Sequence, residues 1–240
     1  GVTFRSDGYL LLGTLFLARG SDPKPTALIL HGVPGIEKNY DLALTLREQG
    51  WNSLIFHFRG SWGSSGSYSI STQPADTYAA IDHLDSGKYS EVDREKLFLI
   101  GHSLGGWAAV IAGACDDRVQ GVAVYGAISD PRALTFSRKT IADDFVRYLS
   151  GIDPHTFAQE WSGLGEDHVP LIQVGMISPR PILIIHAERD KMVPFSQSEA
   201  LFGYAREPKE LCSHPDANHA FTWHRPWLIQ KLSDWLKQQI

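Results

Sequence analysis

Leu97-Phe98-Leu99-Ile100-Gly101-His102-Ser103-Leu104-Gly105-Gly106-Trp107-Ala108-Ala109-Val110-Ile111-Ala112 is the stretch on which the reading of this chain turns. The run Lys96–Ile100 reads as a buried strand, and the residues from Leu104 onward are good helix formers. Between them lies a G-x-S-x-G pentapeptide, Gly101–Gly105. On its own this pattern is weak, because glycine and serine are common enough to generate it by chance. Its context gives it meaning: a buried strand, a tight turn and a helix together lift the Ser103 hydroxyl out of the backbone for attack.

Outward from this point, strands and helices alternate. Residues 2–6 and 9–17 read as a hairpin across Ser6-Asp7-Gly8, and Ala27–His31 as a short buried strand after the Pro23/Pro25 breaker. A helical spacing over 38–49 ends at Gly50; a strand at 53–58, a Gly/Ser loop at 60–71 and a helix at 74–86 follow. Beyond the central stretch come a strand at 119–125, another at 181–186, a helix at 196–205, a weaker strand near 209–213 and an amphipathic helix over 226–239. Repeated β-α units with near-continuous apolar strands predict an α/β fold, a mostly parallel central sheet with helices on both faces. The rhythm breaks between Asp130 and Pro179, where Ile141, Phe145, Tyr148 and Leu149 keep helical spacing but Gly and Pro punctuate the rest. Residues 1–240 therefore read as one domain, with a small helical cap or lid inserted at about 131–178.

Composition bounds the function. The 240 residues carry a net charge of −5 with no Lys/Arg cluster, which argues against a nucleic-acid or anionic-membrane surface. No apolar run is long enough to span a bilayer. The chain opens without Met and without a signal-peptide pattern, and its two cysteines, Cys115 and Cys212, build no disulfide framework. These features suit the cytoplasm, with both thiols expected in the core. His31, His57, His186 and Asp190 lack metal-ligand spacing on one element, and Glu166-Asp167-His168 reads as a solvated face, so neither a metal nor a cofactor is expected. Monomer and dimer both stay open.

In a parallel α/β sheet, ligands sit at the carboxyl ends of the strands. His31-Gly32-Val33-Pro34-Gly35 follows one predicted strand, Ser103 another and Asp190 a third, while His219 follows the last. A serine hydroxyl needs a base to take its proton at neutral pH, histidine titrates in the right range, and a carboxylate fixes the imidazole. His214 and His224 compete with His219, and Asp216 with Asp190, but loop position favours the latter of each pair. His31 and His102 read as supports of their loops.

The chain resembles the α/β-hydrolase fold enzymes from about residue 9 to its end. Gly101–Gly105 is similar to their nucleophile elbow and His31–Gly35 to their His-Gly oxyanion loop. His186-Ala187-Glu188-Arg189-Asp190-Lys191-Met192-Val193-Pro194 resembles the acid-bearing loop, with Ala187 in place of the usual glycine. Asn218-His219-Ala220-Phe221 resembles the histidine segment, with Asn218 where aspartate is usual. Phe58–Gly66 resembles the family's R-G-x-G-x-S turn with one residue inserted, in the manner of small esterases and peptidase-like hydrolases. The resemblance implies Ser103 as nucleophile, His219 as general base, Asp190 as orienting carboxylate, and an oxyanion hole from the backbone N–H groups of Val33 and Leu104.

For the substrate pocket, Val33, Trp62, Trp107, Phe145, Phe157 and Trp161 are expected neighbours. Their apolar character favours a small-molecule ester with a small to medium acyl or aryl group over a charged substrate. Trp107 reads equally well as core. A serine peptidase or acyl-aminoacyl hydrolase would use the same triad on an amide. Glu160 and Glu166 are its candidate amine-capturing residues. A non-catalytic binding protein on this scaffold is the third alternative.

Overall fold

The computed structural model describes all 240 residues. Its eight strands form one sheet in the order β1-β2-β4-β3-β5-β6-β7-β8. β1 (Val2–Ser6) and β2 (Tyr9–Phe16) form the antiparallel hairpin, and β2 runs antiparallel to β4 (Asn52–Phe56). All remaining pairings are parallel, through β3 (Lys24–Leu30), β5 (Val92–His102), β6 (Val119–Tyr125), β7 (Ile182–Ala187) and β8 (Lys209–His214). This is the expected α/β architecture, and strand chemistry explains it. In β3, Ala27 and Ile29 enter one apolar layer while Leu28 and Leu30 enter the other; Phe98/Ile100 and Leu97/Leu99 divide in the same way in β5. Strands that bury both faces need helices on both faces. α1 (Tyr40–Glu48) and α8 (Arg225–Lys237) cover the first layer; α2 (Gln73–Asp85), α3 (Leu104–Cys115) and α7 (Ser196–Tyr204) cover the second.

Two strands begin earlier than hydropathy suggests. β3 starts at Lys24 and includes Pro25, whose missing N–H falls where the β3–β5 register shifts between Lys24 and Thr26. β5 starts at Val92, but residues 93–96 are largely solvated, so only its apolar second half is marked in the sequence. The thiols also differ from expectation. Cys115 is exposed at the end of α3, and Cys212 is half-buried on the edge strand β8, donating to Glu210 Oε1 at 3.1 Å.

Between β6 and β7 the regular elements are all helical, in short pieces joined by turns. A 3-10 turn at Pro131–Ala133, α4 (Arg138–Thr140), a π turn at Ile141–Phe145 and a 3-10 turn at Val146–Tyr148 lead to α5 (Pro154–Ser162). Asp153 caps α5, accepting from His155 N at 2.8 Å and Thr156 N at 3.1 Å. A 3-10 turn at Glu166–His168, α6 (Pro170–Gln173) and a last turn at Val174–Met176 return the chain to the sheet. Phe136, Phe145, Phe157 and Trp161 form its aromatic core, with Phe136 meeting Phe145 and Trp161 edge-on at 5.1 Å.

This excursion is bonded to the loop after β4. Ser150 N donates to Gly60 O at 2.7 Å, and Tyr68 N donates to Ser150 O at 2.8 Å. Glu160 Oε2 accepts from Ile70 N at 2.8 Å and from Ser69 Oγ at 3.0 Å. The base of the same loop is held by Arg59. Its backbone N–H, Nε and Nη2 all donate to the carboxylate of Asp76, at 2.9, 2.8 and 2.6 Å. Nη2 also reaches Ser6 Oγ and Asp7 Oδ2, both at 2.8 Å, so one buried guanidinium joins β1, the loop and α2. No helix is long and apolar enough to cross a membrane.

Candidate active site

Ser103 sits at the tip of the turn between β5 and α3 with φ 54° and ψ −119°, a conformation that costs free energy in any residue but glycine. The turn is tight enough that only glycine fits beside it. A Cβ on Gly101 would come within 2.4 Å of Gly105 O, and one on Gly105 within 2.4 Å of Leu30 O. The pentapeptide therefore lets α3 start directly against β3 and β5, and the Ser103 backbone is pinned by donation from its N–H to Tyr125 O at 3.0 Å.

Asp190 follows β7 and His219 follows β8, and the structure brings these two together. His219 Nδ1 donates to Asp190 Oδ2 at 2.6 Å, while Asp190 Oδ1 accepts from the backbone N–H groups of Met192 and Val193 at 2.8 and 2.9 Å. Burial of the Asp190 side chain would raise its pKa. Hydrogen bonds from His186, His219 and Val193 N outweigh that and hold the carboxyl well below the usual range. Asp190 is thus an anion at any working pH, which fixes the proton on Nδ1 and leaves Nε2 as the basic nitrogen. His219 is further placed by His102, whose Nε2 donates to His219 O at 3.1 Å and whose ring stacks on Tyr125 at 4.5 Å. Burial first, and the neighbouring His219 second, push the His102 pKa well down, so this support is neutral.

Ser103, His219 and His102 line one cavity of about 240 Å³. Neither Ser103 Oγ nor His219 Nε2 hydrogen-bonds to another protein group or to each other, a looseness common in such sites before substrate binds. The backbone N–H groups of Val33 and Leu104 are likewise unbonded, Leu104 because it opens a helix. No three His, Cys, Asp or Glu side chains gather as a metal site would need.

The remaining expected pocket residues divide. Val33, Phe145 and Trp161 line the cavity. Trp107 does not: it is fully buried on α3, stacked on His168 at 5.8 Å, and its Nε1 is spent on His168 O at 2.7 Å. Trp62 does not line it either. Its Nε1 donates to Pro34 O at 2.6 Å, one face stacks on Tyr148 at 5.9 Å, and Lys38 Nζ lies 3.4 Å over the ring. It ties down the His31–Gly35 loop through Pro34. Phe157 is wholly in the aromatic core of the excursion. Three carboxylates that sequence reasoning missed, Glu37, Asp143 and Asp144, also line the cavity, so its wall is not purely apolar. Glu37 lies two residues past the His31–Gly35 loop, the only signal that could have marked it.

At the carboxyl ends of β3 and β4, burial pushes His31 down to about 3 and His57 down to about 4. An unfolded chain binds a proton on each near pH 6.5, while the folded chain does not until much lower. The unfolded state thus holds more protons across this window, and stability falls as pH drops below about 6.5. Buried His31 alone contributes about 1 kcal/mol per pH unit. Urea midpoints measured at pH 7.5, 6 and 5, before most carboxylates titrate, are expected to decline stepwise; a flat series would contradict this.

The sheet order, with Ser103, Asp190 and His219 after β5, β7 and β8, defines an α/β-hydrolase fold. A solved structure of Est1E from Butyrivibrio proteoclasticus with ferulic acid bound superposes with a TM-score of 0.81 over 100% of this chain and 99% of that one, at 20% identity. Residues 40–240 match the prolyl oligopeptidase family, and the chain belongs to it. Among similar proteins, uncharacterized protein YfhR of Salmonella typhimurium is 28% identical over 201 residues, 81% of this chain and 64% of its own length. Lysophosphatidylserine lipase ABHD12 of Danio rerio is 26% identical over 235 residues, 89% of this chain and 58% of its own. The chain thus spans less than two thirds of the length of these two relatives.

Proposed function

We propose that this protein is a serine hydrolase that cleaves carboxylic esters of small to medium size through an acyl-enzyme on Ser103. The observation that carries the reading is the convergence of a strained, unbonded Ser103 with an Asp190-anchored His219 in one cavity. As Ser103 Oγ attacks the ester carbonyl, its proton passes to His219 Nε2 and the carbonyl oxygen becomes an oxyanion facing the Val33 and Leu104 N–H groups. Collapse breaks the bond to the alcohol, which takes the proton from His219. Water then repeats the sequence and frees the acid. The name of the similar Danio rerio lipase denotes an ester substrate, which supports ester over amide; the family's name keeps amide cleavage as the second reading.

The test is turnover of a p-nitrophenyl ester chain-length series beside an aminoacyl anilide. Hydrolysis of short esters with little anilide cleavage is expected; the reverse preference would promote the peptidase reading, and no turnover of either would sink both. Trp62→Phe keeps an aromatic ring beside Lys38 and Tyr148 but removes the donor to Pro34 O. Turnover number is expected to fall about tenfold with KM little changed, since a shifted oxyanion loop harms the transition state more than the bound ester.

A further inference from the structure

We infer that the preferred substrates carry a positively charged nitrogen, an inference that rests on the ester-hydrolase reading and narrows it. The cavity that holds Ser103 is lined by Glu37, on the loop after β3, and by Asp143 and Asp144, on the helical excursion between β6 and β7. No lysine or arginine lines it. Asp143 is ion-paired with Lys139, which leaves it little free charge. The Glu37 and Asp144 carboxylates have no ion pair and accept no hydrogen bond; Glu37 accepts only at its backbone carbonyl, from Asn39 Nδ2 at 3.4 Å. Two carboxylate residues without an ion-pair partner, half-buried Glu37 and exposed Asp144, therefore border the cavity from separate parts of the chain.

The same cavity holds a second mark of a ligand. Ser103, only 6% exposed, lines this space and its hydroxyl has no protein partner. Between the hydroxyl and the carboxylates the wall is aromatic, with Phe136, Phe145, Tyr148 and Trp161. Ring faces attract cations and offer nothing to anions. An ammonium group loses part of its hydration in such a space and is repaid by ring faces and carboxylates together. A carboxylate, sulfonate or phosphate in the same place would meet only like charge.

Two matched pairs test this whichever half of the ester carries the charge. Acetylthiocholine is compared with neutral 3,3-dimethylbutyl thioacetate, and p-nitrophenyl 4-(trimethylammonio)butanoate with neutral p-nitrophenyl 5,5-dimethylhexanoate. In at least one pair kcat/KM for the cation is expected to exceed that for its isostere about tenfold at low salt, and the ratio is expected to shrink as ionic strength rises. Glu37→Gln and Asp144→Asn should each lower that ratio about threefold. The ratio is internal to each variant, so partial misfolding cancels. Neutral esters turned over with a cation ratio of one or less in both pairs would overturn this inference and leave the hydrolase reading standing. A raised ratio unmoved by either substitution would overturn the assignment to these carboxylates. Absence of turnover on all four would overturn the hydrolase reading itself.

Discussion

Replacing Ser103 by alanine is expected to lower ester turnover by about four orders of magnitude or more, with the fold and substrate affinity retained. The size follows from the geometry. In the proposed mechanism Asp190 and His219 deliver one basic nitrogen, and without Oγ that nitrogen has no hydroxyl to activate. The residual rate belongs to the Val33 and Leu104 N–H groups and to binding alone. The three side chains act as a unit, so a Ser103→Ala/His219→Ala double variant should be about as slow as Ser103→Ala by itself. Rates of the two single variants and the double variant on one ester decide the matter. Multiplying losses, or ester turnover that survives Ser103→Ala, would mean that some other group does the chemistry. The smaller side chain also removes nothing the turn needs, since the strain at φ 54° belongs to the backbone and is imposed by its neighbours.

The largest expected loss of stability is at a residue far from the reacting groups. Asp76 is completely buried and takes three hydrogen bonds from Arg59. Asp76→Ala would leave the Arg59 guanidinium, itself only 7% exposed, with Ser6 and the solvated Asp7 as its remaining partners. Breaking a buried pair from one side costs about 3–5 kcal/mol, because the surviving charge stays buried without its counterion. For a domain of this size that is a fall in Tm of roughly 6–20 °C. Arg59→Met/Asp76→Leu, which removes both charges and keeps apolar volume, should recover most of the loss. Thermal melts of the three variants test the account. A drop below about 1 kcal/mol for Asp76→Ala, or no recovery in the double variant, would show that the pair is not what holds the loop.

These two sites also mark what a sequence can and cannot reveal. Ser103 was legible because its function forces a local pattern: only glycine survives where Gly101 and Gly105 touch backbone at 2.4 Å, and the strand before and helix after are periodic. The parallel sheet was legible for a similar reason, since strands buried on both faces are apolar without a break. Asp76 carries no such pattern. Its partner is 17 residues away, and nothing local distinguishes a buried aspartate from a solvated one. The tryptophans make the same point. Trp107, on the helix after the elbow, and Trp161, in the cap, are both expected pocket neighbours, yet one is spent on His168 O and the other lines the cavity. Which way an indole turns depends on the packing of short helices that hydropathy does not resolve. Asp144 and Glu37 escaped notice because a surface carboxylate and a cavity carboxylate look alike until the two segments carrying them are brought together.

The hydrogen bonds between the helical excursion and the loop after β4 have a consequence for anyone who would transplant selectivity between related enzymes. Residues 131–178 look like a self-contained module that could be cut out and grafted. Yet Ser150 is bonded on one side to Gly60 and on the other to Tyr68, and Glu160 holds Ile70 and Ser69. A graft of the excursion alone would carry one half of each of these bonds into a scaffold lacking the other half. The heritable unit of specificity is therefore discontinuous. It joins the excursion to the 60–70 loop, and the two must be exchanged together if the donor's preference is to travel with them.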